Sequence, residues 1–298
     1  MLQVVHLKNF RCFRDATVRL GPLTALVGPN ASGKTALLHA ITAYLLGPRD
    51  IWRHAEEPGR IECACTPPGA MEMQPNGGLL STWHHKGQYL HLDVRRMREH
   101  QVATEEPRLS EDGSNIANVF ATLPRRVQEE LSRQLANLVP VLGDVDVRPS
   151  KGGQQRLLFQ DRWKPNLWYE PHEVSDGTLL TLGLLVTQHQ GGPVEVLAIE
   201  EPEHGLHPYL LREMISVLRK LTQGGGLQIV LATQSAELLE YMQPQEVRFL
   251  NRRPEDGAVV VEEAPTGTDE WRRAYEAYQE SLGSLWLSGN VGGVPGGR

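Results

Sequence analysis

Nothing in this 298-residue chain approaches the run of roughly 20 apolar residues that a bilayer-spanning helix needs; the densest stretch, TLLTLGLLV from Thr178 to Val186, is under half that length. Aromatic residues are scarce at 6%, which leaves Leu, Val, Ile and Ala to fill the core. There are only three cysteines, Cys12, Cys63 and Cys65. An odd count excludes a complete disulfide framework and points to a reducing, cytoplasmic setting. The opening MLQVVHLKNFRCF turns charged within eight residues and does not read as a signal peptide. Positive charge is also in deficit, with 30 Lys and Arg against 36 Asp and Glu and a formal net charge of -6. That balance excludes a protein that coats nucleic acid through overall charge, so any DNA contact has to be a local patch.

What is present is alternation of strand and helix. LQVVHLK (residues 2–8), ATVRL (16–20) and LTALVG before Gly28 read as strands, and ALLHAITAYLL has helical spacing stopped by Gly47-Pro48. From about Arg49 to Lys164 the texture changes, with frequent Pro and Gly and one amphipathic helix in RRVQEELSRQLANLV. From Val174 helices around 178–188, 209–221 and after Ser235 alternate with the buried strands VEVLAIE and LQIVLAT, and a further helix follows near 270–282. The expected class is α/β: a mostly parallel sheet flanked by helices, with an ATP-binding lobe at 1–50 and 165–298 and an inserted α+β lobe at 51–164.

GPNASGKT, comprising Gly28, Pro29, Asn30, Ala31, Ser32, Gly33, Lys34 and Thr35, fits G-x-x-x-x-G-K-T without deviation and stands between a strand and a helix. Its N–H groups can curl around a phosphate, Lys34 can reach the terminal phosphates and the Thr35 hydroxyl can ligate Mg²⁺. The apolar strand that ends in Glu200-Glu201-Pro202-Glu203 should project carboxylates into the same crevice. Glu200 is expected to hold Mg²⁺ through water, and Glu201 to orient or deprotonate the attacking water. EVSDGT puts Ser175, Asp176 and Gly177 at a helix start, where the local alternative is a plain N-cap.

GPNASGKT, EVSDGT, AIEEPEHGLHP and ATQSAELL, in that order, resemble the Walker A, signature, Walker B with D-loop, and H-loop segments of ABC-type ATPases. The resemblance is to the branch that contains RecF, SMC and OLD-family proteins and the small ATPases of bacterial defence systems, with HLKNFRCFRD similar to their first strand and GNVGGVP similar to the end of some members. It implies an ABC-type ATPase head that closes into a head-to-tail homodimer on ATP and Mg²⁺, with Ser175 and Gly177 meeting the γ-phosphate held by Lys34 of a second copy. It also implies ATP hydrolysis in DNA repair or antiphage defence, with DNA and a separate nuclease or other effector as partners and no membrane. Arg11 becomes a candidate nucleotide contact, while Phe10 and Phe13 are expected in the core. Where the family has His, this chain has Gln234, which can donate a hydrogen bond but cannot carry a proton or a positive charge. Slow turnover is the expectation. Glu200 also stands where most phosphate-loop ATPases place the shorter Asp. The alternatives are a nucleotide-gated scaffold with little turnover, and the ATP-binding subunit of a transporter, against which the Asn-Phe-Arg start, EVSDGT and a poorly defined glutamine loop speak.

Other clusters weigh less. Asp144 and Asp146 read as strand or loop rather than a nuclease centre, and neither Cys63-x-Cys65 nor His84-His85 completes a zinc site. Arg95, Arg96, Arg98, Arg125, Arg126 and Arg133 are interleaved with Glu99, Glu105, Glu129 and Glu130 and read as a solvated helix face.

Overall fold

A computed structural model describes residues 1–43, 58–64, 69–73, 79–82, 86–191, 194–223 and 226–289. The predicted helix stop at Gly47-Pro48, Cys65, His84-His85 and the tail from residue 290 lie outside these. The chain divides into two compact units, one of residues 1–89, 194–203 and 215–298, the other of residues 90–193 and 204–214. The boundary at Met214 and Ile215 falls inside the helix Pro208–Gln223.

The first unit is built on a six-stranded sheet in the order Val259–Glu263, Val247–Arg252, Leu23–Val27, Gln228–Thr233, Val196–Glu200 and Gly87–Leu90. The Val247–Arg252, Leu23–Val27, Gln228–Thr233 and Val196–Glu200 strands run parallel, and Val259–Glu263 closes one edge antiparallel. Leu23–Val27 and Gln228–Thr233 are buried at every residue, as expected of strands covered on both faces. A second, antiparallel sheet runs Phe13–Arg19, Val4–Phe10, Gly59–Ala64, Gly69–Met73 and Leu79–Ser81. Its Val5, Leu7 and Phe10 share one core with Leu37 and Ile41 of the helix Lys34–Thr42 and with Ala198 and Val230 of the first sheet. Phe10 and Phe13 are buried, as read from the sequence.

One polar side chain stitches the base of this unit. Gln228 is 1% exposed. Its Oε1 accepts from Leu2 N–H at 2.9 Å, and its Nε2 donates to the carbonyls of Leu2 and Gly21, each at 2.8 Å. Three backbone groups away from regular ladder bonds are thereby satisfied.

In the second unit Gln154–Asp161 pairs with Leu142–Pro149 on one side and with Gln101–Val102 and Trp168–Tyr169 on the other. The amphipathic helix expected from RRVQEELSRQLANLV is Arg125–Leu138, which buries Leu131, Ser132 and Leu135 on one face. Ser132 Oγ accepts from Val145 N–H at 3.1 Å, tying helix to strand. Asp144 and Asp146 turn their carboxylates back onto the N–H groups of Val145 and Val147. The helix Asp176–Val186 carries the TLLTLGLLV run and is buried from Gly177 to Val186.

Replacing Gln228 by Leu strands the three backbone groups that it serves. We expect a loss of about 3 kcal/mol, read as a lower urea midpoint of unfolding, whereas a change under about 1 kcal/mol would show that the backbone re-pairs without the amide.

Candidate functional site

The parallel ladder sets Thr233 beside Val27 and Glu200 beside Ala232. Gly28, Glu201 and Gln234 are the residues that immediately follow, so three strands deliver three functional segments at one level of the sheet.

Sterics explain the shape of the phosphate loop. A Cβ on Gly28 would lie 2.5 Å from Leu250 O and 2.6 Å from Ser32 Oγ, so no side chain fits there. Gly33 has φ 98°, and Ala31 is also left-handed at φ 61°. Lys34 is 7% exposed, and its ammonium donates to the carbonyls of Gly28 at 2.8 Å and Pro29 at 2.9 Å. Burial lowers its pKa, against the pull of Glu201, Glu200 and Glu203. Ser32 Oγ is buried without a hydrogen-bond partner. Arg252 braces the loop from the neighbouring strand by donating to Ala31 O at 2.7 Å. A desolvated ammonium, an orphaned hydroxyl and a curled backbone at the start of a helix fit an anionic phosphate chain.

The Thr35 hydroxyl donates to Glu200 Oε1, and the Tyr89 hydroxyl to Glu200 Oε2. Burial raises the Tyr89 pKa and the Glu200 bond raises it further, so the phenol is a donor. A threonine hydroxyl beside a carboxylate is a hard oxygen set that fits Mg²⁺. Glu201 occupies a left-handed conformation at φ 46°, which costs about 1–2 kcal/mol for a residue with a Cβ. Its N–H is bonded to Ala232 O at 2.8 Å, and Gln234 Nε2 donates to its Oε1 at 3.0 Å. Glu203 accepts from Thr233 Oγ1 at 2.5 Å, its Oε2 is buried without a partner, and burial raises its pKa. Arg11, at φ 45° in the turn after the first strand, places NH1 3.0 Å from His39 Nδ1.

Lys34, Thr35, Glu200, Glu201, Gln234 and Arg11 thus all belong to the first unit. Ser175, Asp176 and Gly177 belong to the second. There Ser175 is the N-cap, accepting from Thr178 N–H at 3.2 Å, and Gly177 is buried. Arg98 pairs with Asp176 at 2.7 Å and donates to the carbonyls of Pro171 and Val174, so it holds the loop before this helix rather than lying solvated. Tyr89, His39, Arg252 and the Thr233–Glu203 pair escaped the sequence reading, and Arg98 was read there only as part of a solvated helix face. Glu203 was visible in the EEPE run, but nothing local marks Tyr89, because its partner is more than a hundred residues away.

Residues 84–240, more than half of the chain, match the family model described as AAA domain, putative AbiEii toxin, Type IV TA system, and residues 1–47 match the AAA ATPase domain model. A stretch of 52 residues is 52% identical to the OLD nuclease of Thermus scotoductus; it covers 17% of this chain and 9% of that protein. Among solved structures, an SMC head bound to the C-winged helix domain of ScpA superposes with TM-score 0.66 at 12% identity, covering 89% of this chain and 98% of that one. The SMC head domain from Thermotoga maritima gives 0.56 at 16% identity, covering 88% and 98%. A Pyrococcus furiosus SMC head with an extended coiled coil, bound to the C-terminal domain of ScpA, gives 0.64 at 11%, covering 94% and 98%. At such identities the structural likeness speaks for the fold alone. Among the described residues no helix is long and apolar enough to cross a membrane. With the family model spanning the stretch that holds the acidic strand end and Gln234, the protein belongs to this AAA domain family, and it shares the SMC head fold over nearly the whole chain.

Proposed function

We propose that the chain binds ATP with Mg²⁺, closes on it as a head-to-tail homodimer and hydrolyses it slowly. The observation that carries this reading is the meeting of the Thr35–Glu200 and Glu201–Gln234 pairs beside the buried Lys34 at the ends of adjacent parallel strands. Lys34 exchanges its bonds to the loop's own carbonyls for the β- and γ-phosphate oxygens. Thr35, and Glu200 through water, would hold Mg²⁺, which when bound would neutralise charge on those phosphates. Glu201 accepts a proton from water as the water oxygen bonds to the γ-phosphorus and the bond to the bridging oxygen breaks, releasing ADP and phosphate. Gln234 orients Glu201 through its amide but carries no proton. Gly28 to Gly33 cradle the phosphates, and Arg11 approaches the nucleotide from the first strand.

In this reading residues 1–50 and 165–298 form the ATP-binding lobe and 51–164 the inserted lobe, and the Ser175–Gly177 turn of one copy faces the γ-phosphate in the other. A helix start with its loop fixed by Arg98 suits that role. A shared γ-phosphate makes closure depend on the nucleotide. A separate effector is supported by the OLD nuclease relative and by the ScpA-bound SMC heads; a cytoplasmic place and work on DNA in repair or antiphage defence belong to the same proposal. Gln234 favours a second reading as well: a nucleotide-gated scaffold that controls a partner by its shape.

Three measurements test these statements. Glu201→Gln should trap an ATP-dependent dimer by light scattering, while Lys34→Ala stays monomeric and loses kcat/KM by roughly 10²-fold or more. A Glu201→Gln protein that stays monomeric in ATP contradicts the closure step. Gln234→His should raise kcat by about tenfold or more; an unchanged or lower rate removes Gln234 as the cause of slow turnover. A wild-type chain that binds ATP and dimerises but shows no turnover selects the scaffold.

A further inference from the structure

Glu200 is longer by one methylene than aspartate, and a longer carboxylate needs more restraint to present one oxygen in one place. The structure supplies that restraint from an unexpected strand. Tyr89 is 6% exposed and lies on Gly87–Leu90, the edge strand next to Val196–Glu200. The height of this edge strand is fixed from both sides. Lys86 O accepts from Glu195 N–H at 2.8 Å, and a Cβ on Gly87 would come within 2.5 Å of Thr42 Cα at the end of the helix that follows the phosphate loop. The phenol ring is met edge-on by His39, with centroids 4.6 Å apart at 85°. His39 is in turn held by Arg11 through the 3.0 Å contact to its Nδ1. A rigid ring, pinned by two elements, thus delivers its hydroxyl to Glu200 Oε2 while Thr35 takes Oε1.

We propose that Tyr89 is a positioning residue for the metal side of the site: by holding Oε2 it leaves Oε1 as the oxygen that Glu200 turns toward Mg²⁺ when Thr35 engages the ion. Groups that orient a metal-side carboxylate from behind typically govern 10–100-fold of metal affinity. The inference rests on the ATPase reading and adds to it the residue that allows a glutamate at this position.

The test is Tyr89→Phe, which keeps the ring against His39 and removes only the hydroxyl. Binding of a fluorescent N-methylanthraniloyl ATP is titrated with Mg²⁺, and again in excess EDTA. The Mg²⁺ concentration at half-maximal response should rise about tenfold, with nucleotide affinity in EDTA and the thermal midpoint at wild-type values. A wild-type Mg²⁺ midpoint in Tyr89→Phe overturns the role, as does an equal loss of affinity with and without Mg²⁺, which would mark a merely structural contact. A wild-type chain that binds no nucleotide overturns the ATPase reading itself and the role of Tyr89 with it.

Discussion

The register of three parallel strands is the constraint on which the site depends. Val27 pairs with Thr233 and Ala232 with Glu200, so the phosphate loop, the Glu201 turn and the Gln234 turn all leave the sheet at one level. A slip by one residue would send the alternate side chains to the other face and part Glu200 from Thr35. Register is secured far from the chemistry, where Gln228 binds Leu2 and Gly21 at the opposite end of the ladder and Ile229 N–H reaches Pro22 O at 2.9 Å. Both central strands are buried along their whole length and paired to a neighbour on either side.

Upon this frame the electrostatics are arranged around groups that do not satisfy one another. Lys34 is buried and must bond to the carbonyls of its own loop, and burial pushes its pKa down despite three carboxylates nearby. Glu203 shows the reverse: burial raises its carboxyl pKa although Thr233 donates to it. Glu201 tolerates a left-handed backbone, and its N–H is fastened to Ala232 O. A γ-phosphate would relieve the first of these tensions, because it offers Lys34 the negative charge that desolvation makes most valuable. Gln234 supplies a hydrogen bond without a charge, which steadies the Glu201 carboxylate.

The second unit contributes its own fixed element. Arg98 spends its donors on two backbone carbonyls and on Asp176, so the loop ahead of the Asp176–Val186 helix is set by a residue far earlier in the chain. In sequence Arg98 sits among other arginines and glutamates. Its neighbours behave as that pattern suggests, with Arg96 pairing to Glu99 and Arg125 to Glu129 at the surface. Only the packing of the loop sets Arg98 apart.

The sequence by itself determined the elements whose chemistry is local. The phosphate loop needs Gly28 and Gly33 for close approach and a left-handed turn, and the buried strands before Gly28, Glu201 and Gln234 follow from apolar runs, so the loop, the acidic strand end and the strand leading to Gln234 were all legible. Fold and family followed from these, because strand–loop–helix units in that order build a parallel sheet. Tertiary structure alone decided which side chains complete the site. Tyr89 reaches Glu200 only because an edge strand is laid beside the acidic one, and Glu203 meets Thr233 only because two strand ends turn toward each other. A hydrogen bond acts over about 3 Å, and no periodicity in a chain records which distant residues the sheet brings within that distance.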